Sequence, residues 1–222
     1  MTTARPTHWI SGRRRLLTTG IAAATAAGLT ACGASAPSGR AIPVDRPSFA
    51  FGERSPDKRV LVAYATRTGS TVGVAEAIGE TLGGRGFGVD VVPILDRPPI
   101  DGYKAIVIGS AVNGGKWLPE AEAFVEDNQQ ALGKVPVALF CVHIMNLGDD
   151  EKSRQNRLAY LNAARPLAKP IAEAFFAGLG LDTSQDSGIV GWLYRLFDVG
   201  PVGDRRDWGK IGGWAESLAA KV

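Results

Sequence analysis

From Arg59 onward, short continuous apolar runs alternate with stretches in which apolar residues recur every three or four positions. Val60 to Ala65 is such a run, the pattern of a strand covered on both faces. Val74, Ala75, Ile78 and Leu82 then return at helical spacing and predict a helix from Ser70 to about Gly83. Strands are expected at Gly88–Val92, Ala105–Gly109 and Pro136–Val142. Between them, a helix over Pro119–Asn128 turns Ala121, Phe124 and Val125 inward and Glu120, Glu122, Glu126 and Asp127 outward. A helix at Lys152–Ala164 closed by Pro166, a strand at Ile171–Ala177 and a terminal helix at Asp207–Lys221 complete the series. This alternation predicts an α/β fold, a five-stranded parallel sheet with helices on both faces.

The first strand empties into Thr66-Arg67-Thr68-Gly69-Ser70-Thr71 at the start of a helix. Helix N-termini carry free N–H groups and the positive dipole end, so this junction is built to receive an anion. The hydroxyls of Thr66, Thr68, Ser70 and Thr71 can donate to phosphate oxygens, and Gly69 permits close backbone approach. The competing reading is an ordinary turn capped by Ser70 or Thr71, but four hydroxyls in six positions exceed what one cap requires. Arg67 pairs either with the phosphate or with a surface acid. The absence of G-x-G-x-x-G argues against a dinucleotide turn.

Two later loops leave the same end of the predicted sheet. The second, Ser110-Ala111-Val112-Asn113-Gly114-Gly115-Lys116-Trp117, is a near miss for a nucleoside-triphosphate loop. Ser110 stands where that motif needs Gly, and Trp117 where it needs a magnesium-binding hydroxyl. The third loop follows the strand ending at Val142 and reads His143-Ile144-Met145-Asn146-Leu147-Gly148. His143 is the one histidine after residue 8, which excludes histidine metal clusters, and no G-x-S-x-G occurs. A core or solvated role for His143 is expected over acid–base chemistry. Cys141 is expected to be a buried strand residue, and Asp149-Asp150-Glu151 the acidic start of the next helix.

The pattern T-x-T-G-x-T after a strand resembles the flavodoxin family's cradle for the phosphate of flavin mononucleotide (FMN). The stretch from Arg59 to Val222 resembles a flavodoxin-like subgroup that includes the FMN-dependent protoporphyrinogen oxidases, with G-S-A-V-x-x-G-K-W in the second loop and Gly203-Asp204-Arg205-Arg206-Asp207-Trp208 before the last helix. The resemblance implies a doubly wound sheet of order 2-1-3-4-5 with FMN at the carboxyl ends of strands 1 and 3. It also implies redox chemistry with a redox partner or a quinone acceptor. Residues 66–71, 110–117, Val142 and His143 then form the cofactor site. Asn113 is a polar ring contact, and Gly114 and Gly115 permit a peptide to reorient when the flavin is reduced. Trp117 either stacks on the ring or anchors the following helix. Many flavodoxins surround the ring with carboxylates. Here the second loop offers Lys116 and no acid, so the fully reduced flavin is expected to be reached more easily.

Composition changes this picture in one respect. The 222-residue chain has a formal charge of +3 and 45% hydrophobic residues, enough for one core. Its basic excess, however, lies in residues 1–31, which hold Arg5, Arg13, Arg14 and Arg15 and no acid. Removing these four from the 25 basic residues leaves 21 against 22 acidic ones, which removes the case for nucleic acid. Arg13-Arg14-Arg15 followed by an apolar run to Ala31 resembles a twin-arginine export signal, and Leu29-Thr30-Ala31-Cys32-Gly33 a lipoprotein processing box with Cys32 as the lipidated residue. An uncleaved anchor is the alternative, although the run is short for a span. Residues 32–58 read as a flexible stalk rich in Ala, Ser, Pro and Gly, and 59–222 as the folded domain. Gly188 to Phe197 is expected either to touch lipid or to cover the sheet edge. The whole reads as an exported, lipid-tethered FMN protein acting in electron transfer or as an oxidoreductase, with a non-catalytic module lacking FMN as the competing class. Neither reading calls for a metal.

Overall fold

The computed structural model describes residues 14–15, 44–180 and 203–222. In chain order the strands are β1 (Arg14–Arg15), β2 (Phe49–Phe51), β3 (Arg59–Ala65), β4 (Gly88–Pro93), β5 (Ala105–Asn113), β6 (Lys116–Trp117), β7 (Val137–His143), β8 (Ala172–Ala177), β9 (Leu179–Gly180) and β10 (Gly203–Asp204). The helices are α1 (Ser70–Gly84), α2 (Pro119–Asp127), α3 (Gln129–Leu132), α4 (Glu151–Ala159), α5 (Arg165–Ala168) and α6 (Trp208–Ala219). The leader expected at 1–31 (save Arg14–Arg15), the proposed lipidation site Cys32 and the Gly188–Phe197 segment lie outside the described residues.

β4, β3, β5, β7 and β8 lie parallel in that spatial order, which among the parallel strands is 2-1-3-4-5. Alternate residues of β3 divide between two cores, as a strand covered on both faces requires. Val60, Val62 and Tyr64 pack with Val74, Ile78 and Leu82 of α1 and Ile211, Ala215 and Leu218 of α6. Leu61, Ala63 and Ala65 pack with Ala121, Phe124 and Val125 of α2 and with Tyr160, Leu161 and Ala164. The fold is therefore the expected α/β sandwich, and β3 with β5 brings the first and second loops to one end.

Three elements depart from the sequence expectation. The stretch expected to be a stalk to residue 58 joins the domain earlier: β2 pairs antiparallel with β4, with Phe49 opposite Val91 and Phe51 opposite Val89, and both phenylalanines are buried. Their alternation with exposed or half-buried neighbours is a strand signal that the surrounding Pro, Ser and Gly obscured. Second, the helix expected at Lys152–Ala164 ends at Ala159, and Pro166 lies in the first turn of α5 rather than closing a helix. Proline fits there because the N–H it lacks has no intrahelical partner at that position. Third, β5 continues beyond Gly109 to Asn113 and folds back into β6.

Candidate functional site

The first loop occupies the four residues between β3 and α1. Gly69 is the helix N-cap at φ +88°, a left-handed conformation, so neither Ser70 nor Thr71 caps the helix as one reading expected. With no side chain at the cap, the first-turn N–H groups of α1 receive no side-chain partner from that position. Thr66 Oγ1 accepts from the Gly69 N–H at 3.0 Å, and Ser70 Oγ accepts from the Leu179 N–H at 2.8 Å. A hydroxyl whose oxygen already accepts an N–H still has its own proton to give. These two hydroxyls are thereby set as donors, the polarity an anion needs. Among the described residues, Thr71 Oγ1 is buried with no partner.

Arg67, Thr68 and Ser70 form one side of a cleft of about 260 Å³. Ala111, Val112 and Asn113 line it from the end of β5, and Val142, His143 and Ile144 from the end of β7. Gly178 and Leu179, just after β8, complete it. The cleft thus opens at the carboxyl ends of the strands where the order reverses, the place expected for a ligand in such sheets. Ile144 belongs to the third loop, while Gly178 and Leu179 were not anticipated. For Gly178 the available signal was a glycine directly after a strand: a Cβ there would lie 3.0 Å from both Ser70 Oγ and Val142 Cγ1. The Gly178 N–H donates to the His143 carbonyl at 2.8 Å, which ties the last loop to the third.

Much of the second loop does other work. Val112 pairs with Trp117 and Asn113 with Lys116, so Gly114 and Gly115 are the two central residues of a hairpin turn. Both have positive φ, +61° and +77°, as a type I′ turn demands. Among the described residues, no atom lies within 4 Å of a Cβ built on either glycine. Gly114, Gly115 and the exposed Lys116 consequently stand outside the cleft lining. Ser110 is also excluded: its Oγ donates to the Ala111 carbonyl at 2.8 Å and accepts from the Leu118 N–H at 3.0 Å, a closed pair of bonds. The hairpin sends Trp117 back into the core at 2% exposure, its Nε1–H donating to Cys141 Sγ at 3.0 Å. Of the two roles open to Trp117, anchoring is the one realised. Thr66, Gly69 and Thr71 frame the first loop without lining the cleft.

His143 is buried at 4% exposure against the Tyr160 ring, 5.5 Å between centroids. Its Nδ1–H donates to the Met145 carbonyl at 2.7 Å, so Nε2 carries only a lone pair, and that atom is buried without a partner among the described residues. Burial pushes the imidazole pKa down to about 4, against the opposing effect of the Met145 carbonyl, so the ring is neutral at ordinary pH. The loop beyond it is braced by Arg157, which donates to the Asn146 and Gly148 carbonyls at 2.5 and 2.6 Å. Asp150 caps α4 by accepting from the Ser153 N–H at 2.9 Å, as its acidic start predicted. Burial pushes the Cys141 thiol up to about 12, which leaves it an inert core residue.

The sequence family described as Flavodoxin domain matches residues 61–185, more than half of the chain. The chain belongs to the flavodoxin family. This flavodoxin-family protein is 23% identical over 99 residues to the protoporphyrinogen IX dehydrogenase (quinone) of Escherichia coli strain K12, covering 44% of this chain and 55% of that one. The protein of the same name from Escherichia coli O157:H7 matches to the same extent. The chain spans about half the length of these curated relatives. Among solved structures, rubredoxin oxygen:oxidoreductase of Desulfovibrio gigas aligns with a TM-score of 0.49 at 13% identity, over 74% of this chain and 36% of that one. A flavodoxin from the domain Archaea aligns with a TM-score of 0.45 at 17% identity, over 73% of this chain and 97% of its own. These likenesses concern the fold.

Proposed function

We propose that this flavodoxin-family protein binds FMN in the cleft and acts as a redox protein, passing electrons between a reduced small molecule and a quinone or a partner protein. One observation carries the reading. Arg67, Thr68 and Ser70, where the first parallel strand passes into α1, converge on one cleft with the ends of β5 and β7 at the carboxyl edge of the sheet. A hydroxyl-bearing helix start facing apolar walls at the place where the strand order reverses supports a ligand with an anionic tail and a flat apolar body.

The residues fit FMN. Thr68, Ser70 and the first turn of α1 would hold the phosphate, with Arg67 adding charge, while the loops ending β5 and β7 would flank the ring. Bound FMN supplies reversible one- or two-electron transfer. The chain's own contribution is to fix hydroxyl donors at one end, and apolar walls from Ala111, Val112, Val142 and Ile144 beyond them that exclude water. His143, held neutral, offers a hydrogen-bond acceptor and no proton. An oxidoreductase role on a small molecule is supported by the name of the Escherichia coli relative and by this flavin-compatible cleft.

The leader carries the remainder of the proposal: export through the twin-arginine route with the cofactor already loaded, and a lipid on Cys32 holding the domain at the outer face of the cell membrane. The decisive experiment is to purify the full chain, record its visible spectrum and titrate FMN. A yellow preparation, or quenching of added FMN fluorescence, is expected; a colourless protein that ignores FMN overturns the reading. Cys32→Ser is expected to release the protein from the membrane fraction.

A further inference from the structure

The segment in front of the first parallel strand reaches the first loop. Val44 Cγ1 lies 3.9 Å from where a Cβ on Gly69 would sit. Arg46 Nε donates to the Thr66 carbonyl at 3.4 Å and Arg46 Nη1 to the Val44 carbonyl at 3.3 Å. Two attachments fix the segment's path: the Tyr64 hydroxyl donates to the Pro47 carbonyl at 2.7 Å, and Phe49–Phe51 joins the sheet through β4. The β3–β5 ladder ends at Ala65 paired with Ser110, so the carbonyl of Thr66, a residue only 1% exposed, needs a donor from elsewhere. Arg46 supplies it.

A guanidinium has five N–H groups, and the two bonds here leave it with donors to spare. Its charge is held one carbonyl away from a loop polarised to receive an anion. Arg67, which lines the cleft, adds a second guanidinium from the loop itself.

Resting on the FMN reading, we propose that Arg46 is a positioning residue of the phosphate site. The segment before the parallel sheet carries a fixed positive charge to the loop, shapes the loop through the Thr66 carbonyl and tightens binding of the phosphate in preference to the rest of the ligand. The domain's tether and its anion cradle are then one structural unit.

The test compares FMN with riboflavin, which has the same ring and no phosphate, by fluorescence titration of the full-length chain and its Arg46→Ala, Arg46→Gln and Arg46→Glu variants. Arg46→Ala and Arg46→Gln are expected to weaken FMN by about fivefold, the effect of one partly screened charge, and to leave riboflavin unchanged. Arg46→Glu should weaken FMN further, and the wild-type advantage should shrink in high salt. Unchanged riboflavin affinity also reports that the cleft is still folded. Equal loss for both flavins, or no loss for either, overturns the Arg46 proposal while leaving flavin binding in place. A wild-type chain that binds neither flavin overturns both readings.

Discussion

Ser70 and Ser110 are both buried hydroxyls on loops that the sequence assigns to one site, yet their bonding predicts opposite behaviour. Ser70 Oγ accepts from the Leu179 N–H at 2.8 Å and retains a proton facing its obligations elsewhere, in a residue that lines the cleft. Ser110 Oγ both donates, to Ala111, and accepts, from Leu118, and lies outside the lining. In Ser70→Ala the phosphate loses one hydrogen bond to a charged acceptor, worth about 1.5–3 kcal/mol, or roughly 10- to 150-fold in FMN affinity. In Ser110→Ala the Leu118 N–H is left buried and unpaired, which costs about 1–3 kcal/mol of folding stability and changes FMN affinity by less than about twofold. Flavin fluorescence titration gives the affinities, and urea denaturation of the apoprotein gives the stabilities. If Ser110→Ala weakens FMN as much as Ser70→Ala, or if Ser70→Ala leaves affinity intact, the satisfiability argument is wrong and the hydroxyls are not sorted by their internal bonds.

Gly109→Ala places a methyl inside the fully buried Phe140 ring, which is packed against Phe176 and Trp214 at 6.2 and 6.3 Å. Overpacking there should cost about 1–3 kcal/mol in chemical denaturation, and Phe140→Leu should recover part of it in the double variant. The His143 pKa, lowered from 6.5 to about 4, means that the unfolded chain binds a proton more readily between those values. Stability of the apoprotein should therefore fall as pH drops from 6.5 towards 4, by up to about 3 kcal/mol, and His143→Phe should remove that component; a pH-independent difference between the two refutes the assignment. With no carboxylate among the described residues that line the cleft and with Arg67 present, potentiometric titration should show the two-electron-reduced flavin reached at a higher potential in the wild type than in Arg67→Glu; equal potentials count against the electrostatic reasoning.

What could be read from the chain follows how local each signal is. The parallel strands appear as uninterrupted apolar runs because burial on both faces removes the polar half of the alternation, and the cradle appears because its hydroxyls, glycine and helix are contiguous. The fates of Ser110 and Trp117 depended on distant partners: Leu118 lies eight residues on and Cys141 twenty-four. Gly114-Gly115 does carry a local signal, a two-residue turn between residues able to pair, but reading the strand as ended at Gly109 hid the hairpin. Lys116, expected to bring a charge to the ring, is exposed on that hairpin and outside the cleft lining.

The start of the folded unit shows how a helix can report on a strand that precedes it. Glycine inside a helix costs about 1 kcal/mol relative to alanine, yet α1 carries Gly79 and Gly83 four residues apart on one face. A Cβ on Gly83 would lie 2.7 Å from Phe51 Cβ, and one on Gly79 3.1 Å from Phe51 Cδ2. Alanine at Gly83 would crowd Phe51, and at Gly79 it would meet Val91 of β4 at 2.4 Å before Phe51, so the glycines make room for β4 and for a segment that composition alone reads as linker. Further along, Arg54 and Arg59 both donate to Asp90 of β4, at 3.0 and 2.8 Å, and the Tyr103 hydroxyl donates to the same carboxylate at 3.0 Å. These bonds hold the connection between β2 and β3 against the sheet. A domain cut at Arg59 would expose the β4 edge with its apolar Val89 and Val91, an open template for pairing with another chain. It would also remove Arg46 from the phosphate loop. The folded unit therefore begins by residue 44, and the same fifteen residues that seal the sheet edge also bring a cation to the cradle.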